Sequence, residues 1–172
     1  MESSLKQDVT IRESSMSNAA VLGEIVWLLS HSSLHQDWPI GSIQQWVFPA
    51  LVHNQFRVYR RNGKPKGFVS WARMSKAVEE AYVLDTSSLQ PDGWKAGDHI
   101  WIIDFVAPFG DAKEIARDMK TNVFPNDVGR YLRIKEGSDT MHIRYLHGMN
   151  ALSKSKDSKY NPTVELYGKT IT

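Results

Sequence analysis

The run Ile100-Trp-Ile-Ile-Asp-Phe-Val106 restricts the folds open to this chain more than any other stretch. Apolar residues on both faces predict a buried central strand, since a strand with one solvated face alternates apolar with polar. Pro108 must take the chain out of the sheet, because it has no N–H to give to a central ladder. Strict alternation places Asp104 with Ile100, Ile102 and Val106, and puts Trp101, Ile103 and Phe105 opposite. Both faces of such a strand need cover, so the rest of the chain has to supply helices.

Periodicity locates the covering elements. Leu22, Ile25, Val26 and Leu29 recur at helical spacing and predict an amphipathic helix over 19–30. Pro39, tolerated at a first helical position, opens a second helix through Ile43, Trp46 and Val47, which Pro49 kinks or ends. Residues 55–60 alternate, Arg61-Asn-Gly-Lys-Pro65 turns, and 66–74 returns as the second strand of a hairpin. Residues 75–84 form a short helix or the end of an irregular strand, and 85–98 a loop. Asp111 caps a helix that reaches Thr121. A second hairpin pairs 129–135 with 140–146 around Glu136-Gly-Ser-Asp139. The expected class is α+β, with a mainly antiparallel central sheet flanked by helices. One domain is expected over 19–148, after a polar segment at 1–18. A tail at 149–172, lacking periodicity around Ser153-Lys-Ser-Lys-Asp-Ser-Lys159, is expected to be mobile.

Composition narrows the chemistry. The 172 residues, 41% of them hydrophobic, suffice for one buried core. With 21 basic and 19 acidic residues, the chain lacks the basic excess of a nucleic-acid binder. The absence of cysteine removes disulfides, thiolate metal sites and a cysteine nucleophile. The first apolar stretch, 19–29, is interrupted by Glu24 and too short to span a bilayer. No targeting segment, no membrane insertion and a cytoplasmic location are therefore expected.

Asp104 is the most anomalous residue, because a carboxylate in an apolar strand is costly unless it is paired or hydrogen-bonded. It is either a structural acceptor for the bend at Pro108–Gly110 or part of a site. His35 lies past a helix C-terminus, whose dipole favours a protonated imidazole. It is either an ordinary surface histidine or a general base. His31 and His35, four apart, have metal-ligand spacing, but no third ligand is spaced to join them, and no metal is expected. Ser32 and Ser33 lack a Gly-x-Ser-x-Gly elbow, so helix capping is their default role. There is no phosphate-binding glycine motif. Arg57, Arg60, Arg61, Lys64 and Lys66 form a basic hairpin without an interleaved acid. It reads as a solvated edge or as a docking patch for an acidic protein.

These segments together resemble the RTX-toxin-activating lysine acyltransferases. The similarity runs through Leu22-Gly-Glu-Ile-Val-Trp-Leu-Leu29, Ser32-Ser-Leu-His-Gln-Asp-Trp-Pro39 and Val69-Ser-Trp-Ala72. It is strongest over Gly97-Asp-His-Ile-Trp-Ile-Ile-Asp-Phe-Val-Ala-Pro-Phe-Gly-Asp111, and continues more weakly from Val128 to Gly148. The resemblance implies a GNAT-like fold, a catalytic His35 with Asp104 as its partner, and a supporting Ser32. It also implies an acyl-carrier protein as donor, through its phosphopantetheine thioester, and an RTX protoxin as acceptor. No bound cofactor is implied, and homodimerisation is compatible with the family. Ser33 stands where the family usually has proline, Val69 where it often has cysteine, and the family's C-terminal helical segment is not evident. Two other readings compete: a GNAT-type acetyltransferase using acyl-coenzyme A, and a toxin-binding escort without catalysis. The missing coenzyme-A loop opposes the first, and retention of both His35 and Asp104 opposes the second.

Overall fold

A computed structural model describes residues 18–134 and 141–151, with the backbone of 165–166 and 169–170. The polar segment up to residue 17, the turn at 135–140 and most of the expected tail lie outside the described residues. Five strands form one sheet in chain order: β1 (Phe56–Arg61), β2 (Lys64–Met74), β3 (His99–Val106), β4 (Val128–Ile134) and β5 (Met141–His147). The β3–β4 pairing is parallel and the other three are antiparallel. The class is α+β, and the apolar run is indeed the middle strand. Two short strands, β6 (Glu165–Leu166) and β7 (Lys169–Thr170), pair separately.

The first hairpin turns on two residues, Asn62 and Gly63, with φ of 52° and 74°. Such a tight turn matches the twist of the paired strands. The expected five-residue turn is therefore too long. Pro65 joins β2, at a point where β2 does not yet pair with β3. Next to it, Lys66 is the extra residue of a bulge between the Tyr59 and Arg60 pairings.

Helix α1 covers residues 18–30. Thirteen residues are marginal as an isolated helix, so its stability has to come from packing. It buries Ile25, Leu28 and Leu29 against Val47, Phe68 and Val106. The second helix starts at Gly41, two residues past Pro39, whose carbonyl accepts the Ser42 N–H at 2.9 Å in the turn that leads into it. Pro49 has no N–H for the carbonyl four residues back. The helix accordingly divides into α2 (Gly41–Trp46) and α3 (Phe48–Val52). Residues 75–84 resolve as a helix, α4 (Lys76–Leu84), whose N-cap Ser75 accepts the Val78 N–H at 3.3 Å. Helix α5 (Ala112–Asp118) continues into a π-helical turn over Met119–Val123. Asp111 precedes α5 without capping it, since its carboxylate is held instead by Arg61 at 2.6 Å.

Three apolar clusters fill the two sides of the sheet. Helices α1 to α3 cover Phe68 and Val106, while α4 and its following loop cover Ala72, Met74 and Trp101. On the other side Ile115, Met119 and Phe124 cover Val69, Ile100 and Ile102. Glu79 of α4 clamps the first side, accepting from Trp101 Nε1 at 2.8 Å and lying 3.2 Å from Arg130 Nε.

At the end of β5 the chain squeezes past Gly148. A Cβ there would run into the carbonyl oxygens of Phe124 and Pro125. Both are backbone atoms that cannot swing aside, so Gly148→Ala is expected to destabilise the fold by about 3 kcal/mol. Denaturant unfolding measures this directly, and a loss below about 0.5 kcal/mol would show that the loop relaxes freely.

Candidate active site

Asp104 owes its position to an irregularity in β3. Ser70 pairs with Asp104, but the next residue, Trp71, pairs with Ile102. Ile103 is thus an extra residue, a β-bulge, and alternation resets across it. Asp104 consequently faces the α1–α3 side with Trp101, Ile103 and Val106, and not the side of Ile100 and Ile102. The face predicted from strict alternation is corrected by that one inserted residue. Beyond Ile102, β3 has no ladder partner in β4 among the described residues.

The loop after α1 delivers His35 to the same point. The Ser32 carbonyl accepts the N–H groups of His35 and Gln36, both at 2.9 Å, which curls residues 32–36 into a tight turn. His35 is 9% exposed and Asp104 6%, so neither is an ordinary surface group. His35 Nε2 lies 3.2 Å from Asp104 Oδ1, and its Nδ1 lies 2.6 Å from Ser32 Oγ. The Trp38 ring meets the imidazole edge-on, with centroids 4.6 Å apart. A carboxylate at Nε2 places the proton of a neutral ring there. The Nδ1 lone pair then receives the Ser32 hydroxyl. Such an imidazole can accept a second proton at Nδ1 while Asp104 balances the resulting charge.

Two further residues support the pair and were not singled out by pattern. Ser70 is fully buried, and its Oγ accepts the Asp104 backbone N–H at 3.2 Å. Its sequence signal was a small polar residue inside an apolar strand. Burial, and then the negative charge of Asp104, pushes the Tyr82 hydroxyl up, so Tyr82 stays protonated beside the site. A tyrosine on a short amphipathic helix carries no sequence signal of that kind. Asp104 Oδ2 is buried and makes no hydrogen bond among the described residues.

The structure separates the two histidines once considered as metal ligands. His31 Nδ1 lies 2.7 Å from the Trp27 carbonyl, and its ring packs against Trp27 and Phe109. No group of three His, Asp or Glu among the described residues is arranged to hold a metal ion. No described helix is long and apolar enough to cross a membrane.

The basic hairpin is largely neutralised from within. Arg57 pairs with Asp118 at 3.3 Å, and Arg60 pairs with Glu24. Arg61 and Lys66 share Asp111 and Glu114. The hydrogen bond from Lys66 holds the Glu114 carboxyl below its usual range. Of the five cations, Lys64 alone forms no ion pair among the described residues.

The family model for RTX toxin acyltransferases matches residues 14–147. The RTX-II toxin-activating lysine-acyltransferase ApxIIC of Actinobacillus pleuropneumoniae is 39% identical, over 81% of this chain and 88% of its own. The protein-lysine myristoyltransferase RtxC of Kingella kingae is 35% identical, over 81% of this chain and 83% of its own. The protein-lysine palmitoyltransferase CyaC of Bordetella bronchiseptica is 36% identical, over 75% and 70%. Both halves of the buried pair, His35 and Asp104, lie inside the matched span, and the chain belongs to the RTX toxin acyltransferase family.

Proposed function

We propose that the protein moves a long-chain fatty acyl group from the phosphopantetheine thioester of an acyl-carrier protein onto internal lysine amines of an RTX protoxin. The observation that carries the mechanism is the buried His35–Asp104 pair with the half-buried Ser32 at its edge, His35 being the general base. A lysine amine is a nucleophile only when neutral, and removing its proton at pH 7 costs about 4.6 kcal/mol from its ordinary pKa. A base held beside the attacking nitrogen takes that proton as the carbon–nitrogen bond forms, so the full cost is never met in advance.

In this reading the amine approaches the Nδ1 side of His35 and takes the place of the Ser32 hydroxyl there, so that its proton passes to the freed Nδ1 lone pair. Asp104 Oδ1 keeps the other nitrogen protonated and stabilises the imidazolium. The GNAT-like arrangement belongs to this proposal, as does a cytoplasmic site of action where carrier-bound acyl groups are made.

Co-expression with an RTX protoxin, followed by mass spectrometry of its peptides, tests the reading. Lysines carrying a fatty acyl amide are expected only when the protein is present. Unmodified protoxin would sink the activity. Full activity with acyl-coenzyme A and no carrier protein would sink the donor assignment alone.

A further inference from the structure

Helix α5 sorts its charges into two stripes. Asp111, Glu114 and Asp118 face the β1–β2 hairpin, where Arg57, Arg61 and Lys66 neutralise them. Lys113, Arg117 and Lys120 recur at helical spacing on another face, and none forms an ion pair with a described residue. Ile115 and Met119 point the helix's apolar side into the sheet. No ion pair among the described residues depends on these three cations.

They also do not stand on a featureless surface. Lys113, Arg117 and Lys120 line a shallow groove of about 340 Å³, together with Ala116 and Met149. Met149 is 53% exposed, yet its backbone N–H is tied to the Lys120 carbonyl at 2.9 Å, which fixes it as one wall. An exposed methionine beside three unpaired cations matches a helix that presents acids around an apolar side chain. Charge complementarity of this kind directs encounter and register, and methionine adapts its shape to an incoming apolar group.

We propose that this groove is the docking surface for the carrier protein that brings the acyl group, gripping an acidic helix of that partner. The identity of the partner rests on the donor assignment above. The site assignment rests on the contrast between this groove and the hairpin, four of whose five cations are already engaged by Glu24, Asp111, Glu114 and Asp118.

Binding of the unloaded phosphopantetheinylated carrier protein, measured by fluorescence anisotropy on the full chain, tests this without any turnover. The combined variant Lys113→Glu, Arg117→Glu and Lys120→Glu is expected to weaken binding at least about tenfold at low salt, because like charges then face the partner. The difference should shrink as salt screens the exposed charges. Met149→Ser should weaken binding by a similar factor at every salt concentration. None of these changes breaks an ion pair within the described residues, so an unchanged melting temperature checks the fold. Wild-type binding with no loss in the triple variant overturns the assignment by itself. An equal loss in Lys64→Glu returns docking to the hairpin and overturns it too. Absence of wild-type binding removes both the carrier donor and the docking, whereas acylated lysine in the protoxin test still stands or falls separately.

Discussion

Replacing His35 by alanine is expected to slow lysine acylation by about 10³-fold, the middle of the range for loss of a positioned general base. Alanine also strips a buried carboxylate of its partner, since Asp104 is 6% exposed and its Oδ2 makes no hydrogen bond among the described residues. Breaking a buried pair this way costs about 3 kcal/mol of stability, which alone could lower activity by unfolding part of the sample. His35→Gln separates the two effects. Its amide keeps an N–H for Asp104 but accepts no proton at neutral pH. The glutamine variant should therefore melt near the wild type and transfer as slowly as the alanine variant. Near-normal transfer by a folded His35→Gln protein would remove His35 from the chemistry.

Asp104→Asn is the companion result, and the loss should be about 10³- to 10⁴-fold, the upper end being the effect of the same change in a serine triad. The amide has nearly the volume of the carboxylate, so the bulge and the Ser70 hydrogen bond to its backbone remain. What disappears is the negative charge opposite Nε2, and with it the stabilisation of the imidazolium that forms as the amine attacks. A purely structural Asp104 predicts the opposite pattern: a large stability loss and normal turnover by the folded fraction. Measuring single-turnover transfer and thermal unfolding on one preparation tells these apart. The His35→Gln and Asp104→Asn effects should also be far from additive, because the two residues act as one unit.

Much of the frame was legible because it depends on neighbours in the chain. The apolar run at 100–106 needed a central position, and it has one. Asn62-Gly63 needed a tight turn, though its two-residue length also depended on the pairing across the hairpin. Leu22, Ile25, Val26 and Leu29 marked a helix face; Ile25 and Leu29 are in the core, whereas Val26 is exposed. The errors were local too. Pro39 is a permitted helix start, yet the helix begins two residues later, at Gly41, with the Pro39 carbonyl accepting the Ser42 N–H in the turn before it.

The hairpin illustrates a different limit. Five cations without a nearby acid in sequence read as free charge, yet Arg61 meets Glu114 across 53 positions of chain. Sequence spacing carries no information about such partners, because they are set by how α5 lies against the β1–β2 hairpin.

By itself, then, the sequence determined the class of fold and the middle strand, since burial and periodicity are written in residue order. Asp104 stood out as a carboxylate in an apolar strand, and the family resemblance alone joined His35 to it. Only the tertiary structure decided how His35 and Asp104 meet. That required the extra residue at Ile103, which reverses the strand's alternation and aims the carboxylate at the α1 side. A bulge exists only in the register between two strands, here β2 and β3, so no reading of β3 alone reveals it.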